Sequence, residues 1–174
     1  MMDVLEAISS RRSVRSFKTG TVSDDEARTL LEAAHWAPSA GNIQPWEFIL
    51  VRKPETKRAL SEAAFDQSFI EAAPLVVVVC ADEQRSIQSY GLRGKNLFCI
   101  QDTAAAVQNI LLCACSLGLG TCWVGAFEEQ KVRRVLRVPD GVRPVALIPI
   151  GHPAKAPGTG SRRPLSQVVH KEVF

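Results

Sequence analysis

NLFCIQDTAAAVQNILLCACSL, residues 96–117, is the stretch whose reading decides the fold. Leu97, Phe98, Ile100, Val107, Ile110, Leu111, Leu112 and Leu117 surround a helical wheel rather than marking one stripe. The run is long enough to cross a bilayer. Gln101, Asp102, Gln108 and Asn109 interrupt it, however, and polar or charged groups are costly in lipid. The segment therefore reads as a central helix of a globular protein, covered on all sides and in part by a second copy of the chain.

Working outward, Asp3 to about Arg12 reads as a short helix with Val4, Leu5 and Ile8 on one face. Ser23-Asp24-Asp25-Glu26 is a capping-box pattern, and Ala27, Leu30, Leu31 and Ala34 follow at helical spacing until Pro38. Trp46 to Val51 suits a strand and Pro54 to Ala64 a helix. Leu75 to Ala81 is a continuous, mostly β-branched run, the pattern of a strand buried on both faces. Thr121 to Phe127 and Pro144 to Ile150 read as further strands, separated by a helix from Glu128 to Arg137 and a Pro139-Asp140-Gly141 turn. Residues 152–174 carry Pro153, Pro157, Gly158, Gly160 and Pro164 and read as an extended tail. No internal repeat or composition break divides residues 1–174. The expectation is one domain, α/β or α+β.

Of the 174 residues, 46% are hydrophobic and 22% charged, an ordinary balance for a globular protein, and the net charge of +3 predicts neither a nucleic-acid nor a membrane binder. Cys80, Cys99, Cys113, Cys115 and Cys122 form no CxxC pair and mostly lie in apolar runs, so they read as reduced thiols of a cytoplasmic protein. His35, His152 and His170 are scattered, with no Cys/His pair at ligand spacing, so no metal site is expected. No basic segment followed by an apolar stretch opens the chain, and cytoplasmic residence is the expectation.

Two stretches carry candidate chemistry. Arg11, Arg12, Ser13 and Arg15 place three guanidinium groups and a hydroxyl within five residues. Arg presents a rigid fork of donors that matches phosphate, while a solvated basic turn is the plain alternative. Pro38-Ser39-Ala40-Gly41-Asn42-Ile43-Gln44-Pro45-Trp46 offers short polar groups between two prolines. Asn and Gln both donate and accept, which suits the edge of a heteroaromatic ring, and a capped connecting loop is the alternative. Gly118-Leu119-Gly120 does not open a dinucleotide fingerprint, because Trp123 stands where the third glycine belongs. No GxSxG or phosphate-binding GxxxxGK[ST] occurs. His35 lacks an evident nucleophile and reads as structural.

Together these stretches resemble the nitroreductase-like flavoproteins that bind FMN. The resemblance also takes in Ile100-Gln101-Asp102, Leu117 to Phe127, Pro149-Ile150-Gly151-His152-Pro153 and Ser161-Arg162-Arg163-Pro164-Leu165, in order along nearly the whole chain. It implies an α+β fold with a central mixed sheet flanked by helices, and a buried central helix at a homodimer interface with two FMN sites. It implies that Arg11, Arg12 and Ser13 hold the phosphate and ribityl end, joined by Arg163 and Arg162 from the tail. Arg15 faces the N1/O2 side of the flavin ring. Pro38, Ser39, Asn42 and Gln44 come from the opposite subunit, and Val124, Gly125 and Ala126 bring backbone amides to N5 and O4. Gln67, Tyr90 and Arg93 receive no role, and Tyr90 to Gly94 reads as a flap or a surface loop.

The activity implied is ping-pong transfer of hydride from NADH or NADPH, through flavin N5, to a small-molecule acceptor such as a nitroaromatic, a quinone or another flavin. The cofactor carries this chemistry, and Gly125 and Arg15 tune it. Rivals of the same fold are flavin-dependent dehalogenation and flavin fragmentation. A non-catalytic FMN-binding or redox-sensing protein is a further alternative. A thiol pair at Cys113 and Cys115 is the weakest, since alternate residues on a helix point apart.

Overall fold

The computed structural model describes residues 2–156, 158 and 160–174. Its helices are α1 Val4–Ser10, α2 Asp24–His35, α3 Pro54–Ala63, α4 Phe69–Ala72, α5 Glu83–Arg93, α6 Cys99–Ser116 and α7 Glu129–Leu136. The strands are β1 Trp46–Val51, β2 Leu75–Asp82, β3 Gly120–Thr121 and β4 Val142–Gly151. They form one four-stranded sheet in the order β1-β2-β4-β3, antiparallel at every ladder. The parallel component of the expected mixed sheet is a single bridge, Ser13 to Thr121.

The period-2 geometry of β2 explains its uninterrupted apolar sequence. Leu75, Val77 and Val79 face a layer formed by α2 and α6, while Val76, Val78 and Cys80 face α3, α4 and α7. Both faces are therefore core, and each fully buried Val, Leu or Ile contributes about 1.5–3 kcal/mol. On α6, Cys99, Asp102, Thr103, Ala106, Val107, Ile110, Leu111 and Ala114 form the buried stripe, at spacings of three and four. Leu112, Cys113 and Cys115 are half-buried, and Leu117 is exposed. The central helix is thus covered on one side within the chain and open on the other. Ser23 caps α2 as the pattern predicts: its hydroxyl accepts from the Glu26 N–H, and the Glu26 carboxylate accepts from the Ser23 N–H at 2.8 Å.

Several boundaries differ from the sequence reading. The first helix stops at Ser10, since Arg11 leaves it at φ −55°, ψ 132°. Its apolar face is unburied, with Val4, Leu5 and Ile8 all exposed. The central helix begins at Cys99, after a π turn over Gly94–Phe98. The expected strand from Thr121 to Phe127 shrinks to two residues plus a bridge from Val124 to Leu147. Its register would continue, but Pro149 stands opposite Cys122. Pro149 accepts from the Cys122 N–H at 3.3 Å and has no N–H to return, so the ladder breaks there. The segment from 65 to 95 is not a loop: α4 and α5 fill much of it.

Candidate functional site

Past α1 the chain runs extended along the β3 edge of the sheet. The Val14 N–H donates to Thr121 O at 2.8 Å, Lys18 N–H to His152 O at 2.8 Å, and Ala154 N–H to Ser16 O at 2.9 Å. Val14 is buried, so Ser13 and Arg15 on either side of it are turned outward. Gly120 makes this approach possible, since a Cβ there would lie 2.8 Å from three carbons of Val14. Arg11, Arg12, Val14, Gly120, Thr121 and Pro153 line a cavity of about 220 Å³. Arg12 folds back on α1, its Nη1 donating to Ser9 O at 2.6 Å and Arg11 O at 2.8 Å, which caps the helix C-terminus. The Arg15 guanidinium stands over the Phe69 ring at 5.8 Å. None of Arg11, Arg12 and Arg15 pairs with a carboxylate among the described residues.

The loop after β3 lies beside these cations. Burial pushes the Cys122 thiol up, while the charges of Arg15 and Arg11 and the Ser13 hydroxyl pull it back. Val124 exchanges both backbone hydrogen bonds with Leu147 at 3.0 Å and anchors the loop. Gly125 and Ala126 then emerge exposed, and among the described residues their N–H groups have no acceptor. A Cβ on Gly125 would meet nothing within 4 Å, so neither crowding nor strain in the fold requires a glycine there. Gln67 supports the loop from behind, its Nε2 donating to Ala64 O at 2.8 Å and Ala126 O at 3.3 Å. Sequence reasoning left Gln67 unassigned, because its partner Ala126 lies 59 positions away.

The Pro38 to Gln44 loop is built differently. Gly41, Asn42 and Gln44 sit at φ 56°, 55° and 55°, a left-handed region unfavourable for non-glycine residues. Hydrogen bonds hold that shape. The Gln44 N–H donates to Ser39 Oγ at 2.9 Å, Gln44 Nε2 to Asn42 Oδ1 at 3.0 Å, and the Ala40 N–H to Asp102 Oδ1 at 3.1 Å. Asp102 is thus the carboxylate inside the apolar run, serving as an anchor for the loop. His35 is structural, as expected: its Nδ1 accepts from Trp46 Nε1 at 3.3 Å.

Burial pushes the Asp102 carboxyl above the usual aspartate range, and the Ala40 N–H partly offsets this. A carboxyl raised in the folded state binds its proton more readily there. Its contribution to stability is full below the unfolded value of about 4 and is lost as pH rises through the folded value. Asp102→Asn keeps an acceptor for Ala40 but cannot ionise. Urea denaturation is expected to show the variant gaining on the wild type as pH rises from about 4 to 7; a constant difference would remove the assigned cause.

The two halves of the expected site lie at opposite corners of the sheet. Trp46, at the loop's exit, is in register with Ala81 and Arg143, whereas Thr121 pairs with Ile150. At about 3.4 Å per residue and about 4.8 Å per strand, those corners stand on the order of 25–30 Å apart. Arg162 and Arg163 are exposed on the tail, with Arg162 donating to Ser161 O at 2.9 Å. Pro157 of the tail lies outside the described residues. The chain therefore brings Arg11 to Arg15 to the β3 edge, just ahead of the loop that carries Val124, Gly125 and Ala126. It leaves Pro38, Ser39, Asn42 and Gln44 apart from them.

The glycine pair and the cysteine pair serve the fold. Gly118 is the residue past the end of α6, its N–H donating to Cys115 O while the Leu119 N–H donates to Ala114 O, a Schellman turn. Cys113 faces Thr29 O at 3.9 Å and Cys115 faces Ser10 Oγ at 3.5 Å, on different neighbours, so the two thiols do not converge. Unpaired guanidinium groups beside two unclaimed, exposed backbone donors fit a ligand with an anionic tail and a ring bearing acceptors. FMN has both features.

Residues 8–98 and 64–152 match the sequence profile of the nitroreductase family. The NADH dehydrogenase of Thermus thermophilus is 32% identical, with 97% of this chain and 96% of that protein covered. The FMN reductase (NADPH) of Bacillus subtilis is 33% identical over all of this chain and 75% of its own length. The NADPH:FMN oxidoreductase of Vibrio harveyi, solved with NAD+, superposes with a TM-score of 0.91 at 27% identity, covering 98% of this chain and 77% of that one. On sequence, fold and site chemistry alike, this chain belongs to the nitroreductase family and is an NAD(P)H-dependent oxidoreductase that uses FMN.

Proposed function

We propose that the protein is a cytoplasmic, single-domain homodimer that reduces small-molecule acceptors such as nitroaromatics, quinones or free flavins. The observation that carries the reading is the group of arginines at positions 11, 12 and 15, without a carboxylate among the described residues. When bound, FMN supplies the redox step, taking hydride from NAD(P)H and passing it to the acceptor in a ping-pong cycle.

The chain's own groups bind and orient. Arg11 and the Ser13 hydroxyl hold the phosphate end, and Arg12 adds charge from its seat on α1. Arg15 sets a fixed cation where negative charge grows on reduction, near N1 and O2 of the ring. The exposed N–H groups of Gly125 and Ala126 serve the N5 and O4 edge, with Val124 and Gln67 fixing the loop that bears them. Pro38, Ser39, Asn42 and Gln44 stand a sheet diagonal away and serve the site of a second copy, while Arg162 and Arg163 add charge at the phosphate end from the tail. The half-open face of α6 and the exposed Val4, Leu5 and Ile8 of α1 offer that copy apolar surface.

Anaerobic titration of purified protein with NADH and with NADPH, followed by a panel of acceptors, tests the assignment. Bleaching of bound flavin by either nicotinamide and its recovery on adding nitroaromatic or quinone is the expected course. Flavin that reacts only after chemical reduction would favour a dehalogenating or flavin-fragmenting enzyme. Bound flavin inert to both nicotinamides would leave a sensor.

A further inference from the structure

The helix α5 touches the Pro38 to Gln44 loop at two points that the proposed function does not use. Arg85 Nε donates to the Ile43 carbonyl at 2.7 Å. Further along the same helix, Tyr90 lies across Gly41, where a Cβ would fall 2.6 Å from the Tyr90 hydroxyl and 3.4 Å from its Cζ. The start of α5 is tied to the loop's exit as well. The Asp82 N–H donates to Pro45 O at 2.7 Å, and the Asp82 carboxylate caps the helix by accepting from the Arg85 N–H at 2.9 Å.

Tyr90 is itself held from behind. Its ring meets Phe98 edge-on, with centroids 5.2 Å apart at 84°, and Arg93 stands over the Phe98 ring at 5.3 Å. Immediately after Tyr90 the helix breaks at Gly91, at φ 57° and ψ −145°, and the chain continues into the π turn over Gly94–Phe98. Such turns are frequent at functional sites. Among the described residues the Tyr90 hydroxyl has no hydrogen-bond partner, so packing rather than bonding fixes its place over Gly41. A loop with Asn42 and Gln44 both left-handed keeps that shape only where its surroundings over-determine it.

We propose that Arg85 and Tyr90 form a latch that sets the shape of the Pro38 to Gln44 loop and, through it, the grip on the flavin's edge. They are positioning residues for FMN, and the inference rests on the reading that this loop touches the cofactor. The latch also accounts for glycine at position 41, which is the one residue that both accepts the left-handed backbone and leaves room for the phenol.

The test is the FMN dissociation constant, measured by flavin fluorescence on the full chain. Arg85→Ala removes a charge-assisted hydrogen bond and is expected to raise Kd about tenfold, with part of the loss recovered in Arg85→Lys. Gly41→Ala raises Kd in the wild-type background. In Tyr90→Phe the same change is expected to cost at least about threefold less, because the colliding oxygen is gone while the backbone strain cancels in the cycle. That coupling is a signature general destabilisation does not produce, and it decides the matter if Arg85→Ala fails to fold. Additive effects at positions 41 and 90, or an Arg85→Ala protein with wild-type Kd, would overturn the latch. Asn42→Ala and Gln44→Ala separate the two readings. If both leave Kd unchanged, the loop does not touch FMN and the latch falls with that reading; if they raise Kd while the other variants behave as wild type, the latch alone falls.

Discussion

Arg15→Ala is expected to weaken binding of reduced FMN about tenfold more than binding of the oxidised form. The reasoning is electrostatic. Reduction places negative charge near N1 and O2, so a cation there acts mainly on the reduced state, whereas the phosphate carries the same charge in both. A hydrogen bond to a charged group contributes about 1.5–3 kcal/mol, and an exposed arginine delivers the lower end of that range. For a two-electron couple each tenfold difference is about 30 mV, so the bound flavin's midpoint potential should fall by roughly that amount. Arg11→Ala is the counterpart. It should weaken both redox forms alike and leave the potential in place, since its proposed contact is the phosphate. Spectroelectrochemical titration of both variants separates the roles; an equal loss in the two redox states for Arg15→Ala would contradict its assignment. The orientation of Arg15 is set before any ligand arrives, because its guanidinium already stands over Phe69.

What the sequence could reveal about this fold depended on how local each cause is. The boundaries of β1, the double-sided burial of β2 and the cap of α2 follow from residues next to one another, and the structure reproduces them. The short β3 does not follow from its own residues, which suit a longer strand. It is cut by Pro149 on another strand, and only the register reveals that. The helical segment from 83 to 93 was hidden for a similar reason, as a polar stretch with a glycine near its end that packs against a distant loop. The same division holds at the site. Clustered arginines and the paired-proline loop announce themselves in the chain. Gln67, Arg85 and Asp102 do not: their partners are Ala126, Ile43 and Ala40, and such polar side chains acquire meaning only from the backbone groups they meet. That Arg11 to Arg15 and Pro38 to Gln44 sit at opposite corners was equally invisible before the strand order was known.

The largest effect on both fold and cofactor is expected at Gly120. Its absent side chain is what allows the Arg11 to Arg15 segment to lie against the sheet edge. An alanine Cβ would stand 2.8 Å from the Cβ and both Cγ atoms of buried Val14, nearer than van der Waals contact permits. Val14 cannot rotate away, because all three of its side-chain carbons are involved and its N–H is bonded to Thr121 O at 2.8 Å. The strand of arginines must therefore shift as a unit. Overpacking of this kind costs about 1–3 kcal/mol, which in a chain of this size lowers Tm by roughly 2–12 °C. FMN affinity should drop with it, since the cations and the Gly125 to Ala126 donors no longer share one geometry. Gly125→Ala is the control: its Cβ would meet no atom within 4 Å, so the apoprotein's Tm should remain within about 2 °C of wild type. Adding Val14→Ala to Gly120→Ala removes two of the three close carbons and should recover part of both losses. If Gly120→Ala instead melts and binds FMN as the wild type does, the close packing of the arginine strand on β3 does not govern the site.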